Sequence, residues 1–170
     1  SMFNITGGAF TVNATDASSS ITFDGKNITT STQFGGAFYV RGDSTEFTLN
    51  GTDKSGGGKT ITIENNAIFV STSQVYGGGI YLNGGVNTLS GCSITGNNVK
   101  STTKVPLGGG VCIKSGTNTI LGSVNITGNT ATKKTSTSSN NLYFASSKTV
   151  ALSSGSKSLS TSSQIGVTTQ

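Results

Sequence analysis

Apolar side chains in this chain come in short alternations rather than in runs. Phe38 and Val40 flank Tyr39, Ile80 and Leu82 flank Tyr81, and Val111 and Ile113 flank Cys112. A period of two sends alternate side chains to opposite faces of a strand, and no stretch shows the longer period of an amphipathic helix. Over 77–107 this pattern predicts three short strands: 80–82, then 87–89 beyond an Asn83-Gly84-Gly85 turn, then 92–94 beyond Ser90-Gly91. The stretch 96–107 reads as the loop that closes the unit. The next unit repeats the order with Val111/Ile113, Ile120-Leu121 and Val124/Ile126.

The alternations sit inside a recurring phrase. Gly7-Gly8-Ala9-Phe10, Gly35-Gly36-Ala37-Phe38, Gly77-Gly78-Gly79-Ile80, Gly108-Gly109-Gly110-Val111 and a degenerate Ser139-Asn140-Asn141-Leu142 start 28, 42, 31 and 31 residues apart. A second phrase holds phase with the first: Ile63-Glu64-Asn65-Asn66, Ile94-Thr95-Gly96-Asn97 and Ile126-Thr127-Gly128-Asn129 are 31 and 32 residues apart. Self-similarity at roughly 20–50 residues marks coils that bury their apolar face only against the next coil. The expected fold is therefore all-β: a right-handed parallel β-helix, or solenoid, of about five coils with three short strands each. The coils are expected over 7–34, 35–76, 77–107, 108–138 and 139–170. An antiparallel sandwich has no reason to repeat at one-coil spacing. The glycines serve a tight corner, and Asn66, Asn97 and Asn129 would stack there as a ladder of side-chain amides.

Two stretches break the rhythm. The 42-residue unit contains the polar, glycine-rich insertion 51–59, expected to leave the wall as a loop. After Phe144 the pattern thins into a Ser-rich tail, either a decayed last coil or the way into a following domain. Ser1-Met2 reads as a cloning remnant ahead of repeat material.

Composition agrees with a narrow core. Of 170 residues, 32% are apolar and 25 are Gly, a dilution that a solenoid tolerates because each coil needs one apolar column. Net charge is +5, unevenly spread: six acids against four bases leave −2 over residues 1–64, whereas 65–170 carry seven lysines and no acid. Cys92 aligns with inward Val124 and Cys112 with the opposite face, so no disulfide is expected between them and Cys112 reads as an exposed thiol. No apolar run is long enough to span a membrane as a helix.

The glycine phrase paired with Ile-x-x-Asn resembles the polymorphic outer membrane protein repeats of chlamydiae, which alternate GGA(I/L/V) with FxxN, and is similar to repeats in other bacterial surface proteins. Gly7 to Phe10 and Gly35 to Phe38 match the first motif with Phe in its last place. Gly77 to Ile80 and Gly108 to Val111 depart at the third, and Ile63, Ile94 and Ile126 stand where that family has Phe. The resemblance covers about residues 7–145. It implies a cell-surface or outer-membrane passenger, often autotransported and often adhesive, whose partner would be a host-surface protein or glycan.

Catalysis is not expected. Polysaccharide lyases and hydrolases need clustered carboxylates, and here only Asp24 and Glu64 share a column; the chain has no His and a single arginine, Arg41. Neither a metal, a cofactor nor a nucleic acid is expected, since His is absent and the basic half lacks arginine and interleaved aromatics. Two features offer binding surfaces. Tyr39, Tyr81 and Tyr143, with Thr11 and Cys112 between them, form an outward column that either meets a partner or shields the wall. Lys100 and Lys104 recur one coil later as Lys133 and Lys134 in the closing loop, either an anion-binding ridge or solvated charge. The functional expectation is a surface stalk or adhesin, with a carbohydrate-active β-helix and a plain spacer as alternatives.

Overall fold

The computed structural model describes residues 1–155 and 157–168. Those residues form three main sheets and a two-stranded hairpin, Ser153–Ser154 with Lys157–Ser158, and include no helix. Sheet 1 stacks Phe3–Ile5, Phe38–Arg41, Ile80–Ser90, Val111–Leu121, Leu142–Phe144 and Val167–Thr168, all parallel and in chain order. Gly8–Ala14 and Thr45–Gly51 continue the same sheet beneath the second half of Ile80–Ser90. Sheet 2 stacks Ile21–Asp24, Ile61–Glu64, Cys92–Thr95, Asn125–Thr127 and Gln164–Ile165, again all parallel. Sheet 3 stacks Thr29–Thr30, Ala67–Val70, Asn98–Ser101 and Thr130–Lys133 in parallel, and ends with Ser136–Ser139, which turns back antiparallel. Up to Ser139 the chain visits the sheets in the repeating order 1, 2, 3.

Inward alternation fills the space between sheets 1 and 2. Phe38, Leu49, Ile61, Ile63, Ile80, Leu82, Leu89, Ile94, Ile113, Ile120 and Ile126 are all essentially sealed from solvent. A smaller cluster, Ile68, Val75, Val99 and Ala131, belongs to sheet 3 and the segment after it. At the first end the column is aromatic: Phe3, Phe10, Phe23, Phe38 and Phe47 stack and tilt against one another with centroids 4.8–6.1 Å apart. At about 25 cal/mol per Å2 removed from water, each buried Phe or Ile contributes some 1.5–3 kcal/mol, so a single column suffices for an apolar-poor chain.

The glycine phrase is a corner. Gly77 has φ 63°, and a Cβ on Gly78 would lie 2.2 Å from the Gly109 carbonyl oxygen of the next coil, so both positions exclude larger residues. The Asn ladder stands beside it. Asn66 Nδ2 donates to Asn97 Oδ1 at 2.9 Å and Asn97 Nδ2 to Asn129 Oδ1 at 2.9 Å, while the Asn66 and Asn97 backbone N–H groups reach the same oxygens. Asn129 passes the chain of bonds to Asn141, so the degenerate fifth phrase still closes the ladder.

Three expectations need correction. The segments 80–82 and 87–89 are one continuous strand, Ile80–Ser90, and the third strand is Asn98–Ser101, inside the stretch expected to be a loop. The first glycine phrase is out of phase: Gly8 pairs with Thr45, whereas Phe3-Asn4-Ile5 pairs with Phe38-Tyr39-Val40. The first coil thus starts ahead of residue 7, Asn4 rather than Thr11 lies beneath Tyr39, and the Met2 N–H donates to Gly36 O. Of the two readings of the tail, the abbreviated last coil is the one seen: after Phe144 the chain returns to sheets 2 and 1.

Candidate functional site

The tyrosine column is in register as the alternation predicts: Tyr39 beside Tyr81, Tyr81 beside Cys112, Cys112 beside Tyr143. It is not an open stripe. The residue before each glycine corner folds over it, and these residues pair in their own ladder, Phe34 with Tyr76 and Tyr76 with Leu107. Phe34 stacks on Tyr39, Tyr76 and Tyr81 at 4.9, 5.9 and 5.2 Å, and Tyr76 on Tyr81 at 5.0 Å. Tyr81 is 3% exposed and Cys112 is sealed, which corrects the reading of both as surface groups. Burial pushes the Cys112 and Cys92 thiols up to about 12, so neither is a ready nucleophile. Both cysteines are free. Tyr39 and Tyr143, at the ends of the covered stretch, keep half-exposed rings, and the Arg41 guanidinium lies 5.6 Å from the Tyr39 ring centre.

The lysines divide differently from the expectation. Lys100 lies on a sheet 3 strand, over the Phe69 ring at 5.8 Å, and its register partners are Phe69 and Thr132. Lys133 pairs with Ser101 instead, and Lys134 takes the turn at φ 55°. Lys100, Lys104, Lys133 and Lys134 are all exposed, along and just beyond sheet 3, but Lys100 and Lys133 do not stack position on position.

Asp24 and Glu64 do share a register position. Asp24 is already occupied: it accepts the Lys26 backbone N–H at 2.8 Å, pairs with Lys26 Nζ at 2.5 Å and accepts from Asn65 at 3.2 Å. Those bonds to Lys26 hold its carboxyl below the usual value, the opposite of what a general acid needs. The column continues as Thr95 and Thr127, without a carboxylate. Among the described residues no three His, Cys, Asp or Glu side chains lie close enough to hold a metal ion.

One feature escaped the sequence reading. Lys59, assigned to the protruding insertion, is buried, with Nζ 2.6 Å from Asp53 Oδ1 and 2.7 Å from Ser123 Oγ two coils away. The insertion is a small antiparallel hairpin whose second side re-enters the wall, and Thr60 Oγ1 ties it to Ala14 O at 2.5 Å. Over it runs a polar groove of about 440 Å3, lined by Asn50, Asp53, Ser90, Ser123, Lys157 and Ser160. The available signal was the short distance from Lys59 to the strand residues Ile61 and Ile63, which leaves no room for a loop.

No family model, curated protein or solved structure matches the chain.

Proposed function

We propose that this chain is a run of right-handed parallel β-helix acting as a non-catalytic stalk or adhesive passenger of a bacterial surface protein. The observation that carries the reading is the parallel stacking of three sheets over successive coils, locked by the Asn66–Asn97–Asn129–Asn141 ladder. A connection returning to a parallel strand in the same sheet is right-handed in nearly all proteins. The glycine and Ile-x-x-Asn phrases support the surface assignment through their likeness to polymorphic outer membrane protein repeats. The partly exposed Tyr39 and Tyr143 and the exposed lysines Lys100, Lys104, Lys133 and Lys134 are the groups available to a host protein or glycan.

The test is adherence to host cells. Replacing the four lysines with Gln is expected to lower it, and Tyr39→Ala with Tyr143→Ala to lower it separately; unchanged adherence in both would reject these surfaces. The polar groove over Lys59 favours a second reading, glycan binding without cleavage. That reading predicts retention on a polysaccharide panel, lost in Ser123→Ala with Asp53→Ala.

A further inference from the structure

The second coil carries two residues in sheet 1 that the coils on either side lack. Between the pairs Arg41/Asn83 and Glu46/Val86 it has Gly42-Asp43-Ser44-Thr45 where the third coil has Gly84-Gly85. Between Ile5/Val40 and Gly8/Thr45 it has Arg41-Gly42-Asp43-Ser44 where the first coil has Thr6-Gly7. A segment longer than both stacked neighbours cannot lie in the wall, so it bows out as a turn. With Arg41, the last residue of the strand before it, the turn reads Arg41-Gly42-Asp43-Ser44, and all four residues are exposed.

The turn is anchored at its base, and of its two charged side chains Arg41 lies over the Tyr39 ring, 5.6 Å from its centre, a surface contact that a stronger carboxylate partner would replace. Thr45, fully buried, donates Oγ1 to the Arg41 carbonyl at 2.6 Å and its N–H to the Gly42 carbonyl at 3.2 Å. Gly42 holds φ 91°, a conformation that suits glycine, and a Cβ there would crowd Thr6 O at 3.2 Å. Arg41 is the chain's single arginine. The two ion pairs among the described residues are Lys26–Asp24 and Lys59–Asp53, so Arg41 and Asp43 are bonded neither to each other nor to another charge.

A guanidinium and a carboxylate flanking one glycine on a fixed turn make a two-pole ligand. The guanidinium presents a planar fork of donors that matches a carboxylate. The Asp43 carboxylate is a short, hard oxygen donor suited to the open position of a protein-held divalent cation. We propose that this turn is a recognition site for a receptor protein that carries such a cation for Asp43 and an acidic pocket for Arg41, the pairing by which integrin-class receptors read Arg-Gly-Asp. The inference rests on the surface-binder reading above but uses none of its lysines.

The test is binding of an Arg-Gly-Asp-binding integrin ectodomain to the immobilised full chain, in Mn2+ and in EDTA. Saturable binding in Mn2+ that EDTA abolishes is expected. Asp43→Glu, which keeps the charge but moves the carboxylate by one methylene, and Arg41→Lys, which keeps the charge but loses the fork, are each expected to weaken it at least about tenfold, or 1.4 kcal/mol. Both sites are exposed, so thermal unfolding of each variant should match the parent. Absence of binding, cation-independent binding, or full binding by Asp43→Glu overturns the proposal. If the parent chain adheres to cells and Asp43→Glu adheres equally well, the adhesin reading survives and this site does not. If the ectodomain binds through Asp43 while the lysine and tyrosine variants adhere normally, this site survives and those surfaces fall.

Discussion

The third and fourth coils differ from the second in what holds each residue in place. In the former, sheet 1 runs for 11 residues without leaving the wall, Ile80–Ser90 and Val111–Leu121, and side chains meet their counterparts one coil on at both ends, with the register shifting only between Ile113 and Thr117. Their glycines and asparagines recur because the next coil needs them. The second coil interrupts the strand at 42–44, adds the 53–59 hairpin and draws the ammonium of Lys59 into the wall. The boundary leaves a trace: Asn87 Nδ2 donates to Asn118 Oδ1, but the register partner of Asn87 in the second coil is Phe47, and Asn87 Oδ1 is left without a hydrogen bond. Stacking makes the regular coils intolerant of change, and release from stacking lets the irregular one carry charge.

The sharpest way to break this contrast is to add one methyl group in each region. In Gly78→Ala the new Cβ would stand 2.2 Å from Gly109 O, and a loss of roughly 4 kcal/mol or more in urea unfolding is expected. Gly57→Ala, on the hairpin at φ 94° with open space around it, should cost about 1 kcal/mol, from backbone strain alone. Equal losses would mean that the corner is no more constrained than the insertion.

The asparagines give the next comparison. Asn97→Ala removes the middle of a sealed ladder: it strands the Asn66 N–H and deletes the amide's bonds to Ile63 O, Thr95 O and Asn129 Oδ1, so about 3 kcal/mol should be lost. Asn50→Ala removes an exposed amide pair with Asn13 and should cost less than about 0.5 kcal/mol by the same measurement.

The smallest effect sharpens the role of Lys59. Its hydrogen bond holds the Asp53 carboxyl below the ordinary value of 3.8. A carboxyl depressed in the folded chain adds stability above its unfolded pKa, and that gain is lost as pH falls through the folded value. The parent should therefore lose stability below pH 3.8 more steeply than Asp53→Asn, seen in acid thermal melts. Solvent at the half-exposed Asp53 keeps the difference under about 1 kcal/mol. Identical acid limbs would show that the pair adds nothing to stability.

Much of the wall was legible because stacked coils repeat their chemistry. The glycine corner, the Asn66–Asn97–Asn129 ladder, the inward Ile and Val and the Tyr39–Tyr81–Cys112–Tyr143 register all follow from two phrases held in phase. Sheet 3 was not legible, because Asn98-Val99-Lys100-Ser101 offers one apolar residue and no alternation to read. The cover on Tyr81 left a trace that went unread: an apolar residue, Phe34, Tyr76 or Leu107, precedes each of three glycine corners. The Gly7 phrase misled because a short motif can recur on a different part of the same sheet.

By itself, then, the order of residues determined what must repeat: an all-β chain with apolar columns, glycine corners and asparagine ladders, since period and phase are properties of sequence. The tertiary structure decided what faces water. Burial of Tyr81, Cys112 and Lys59, and exposure of the Arg41–Ser44 turn, depend on which segments fold back over the wall and on how many residues each stacked neighbour has at the same height. Those are relations between coils, and no single coil's sequence contains them.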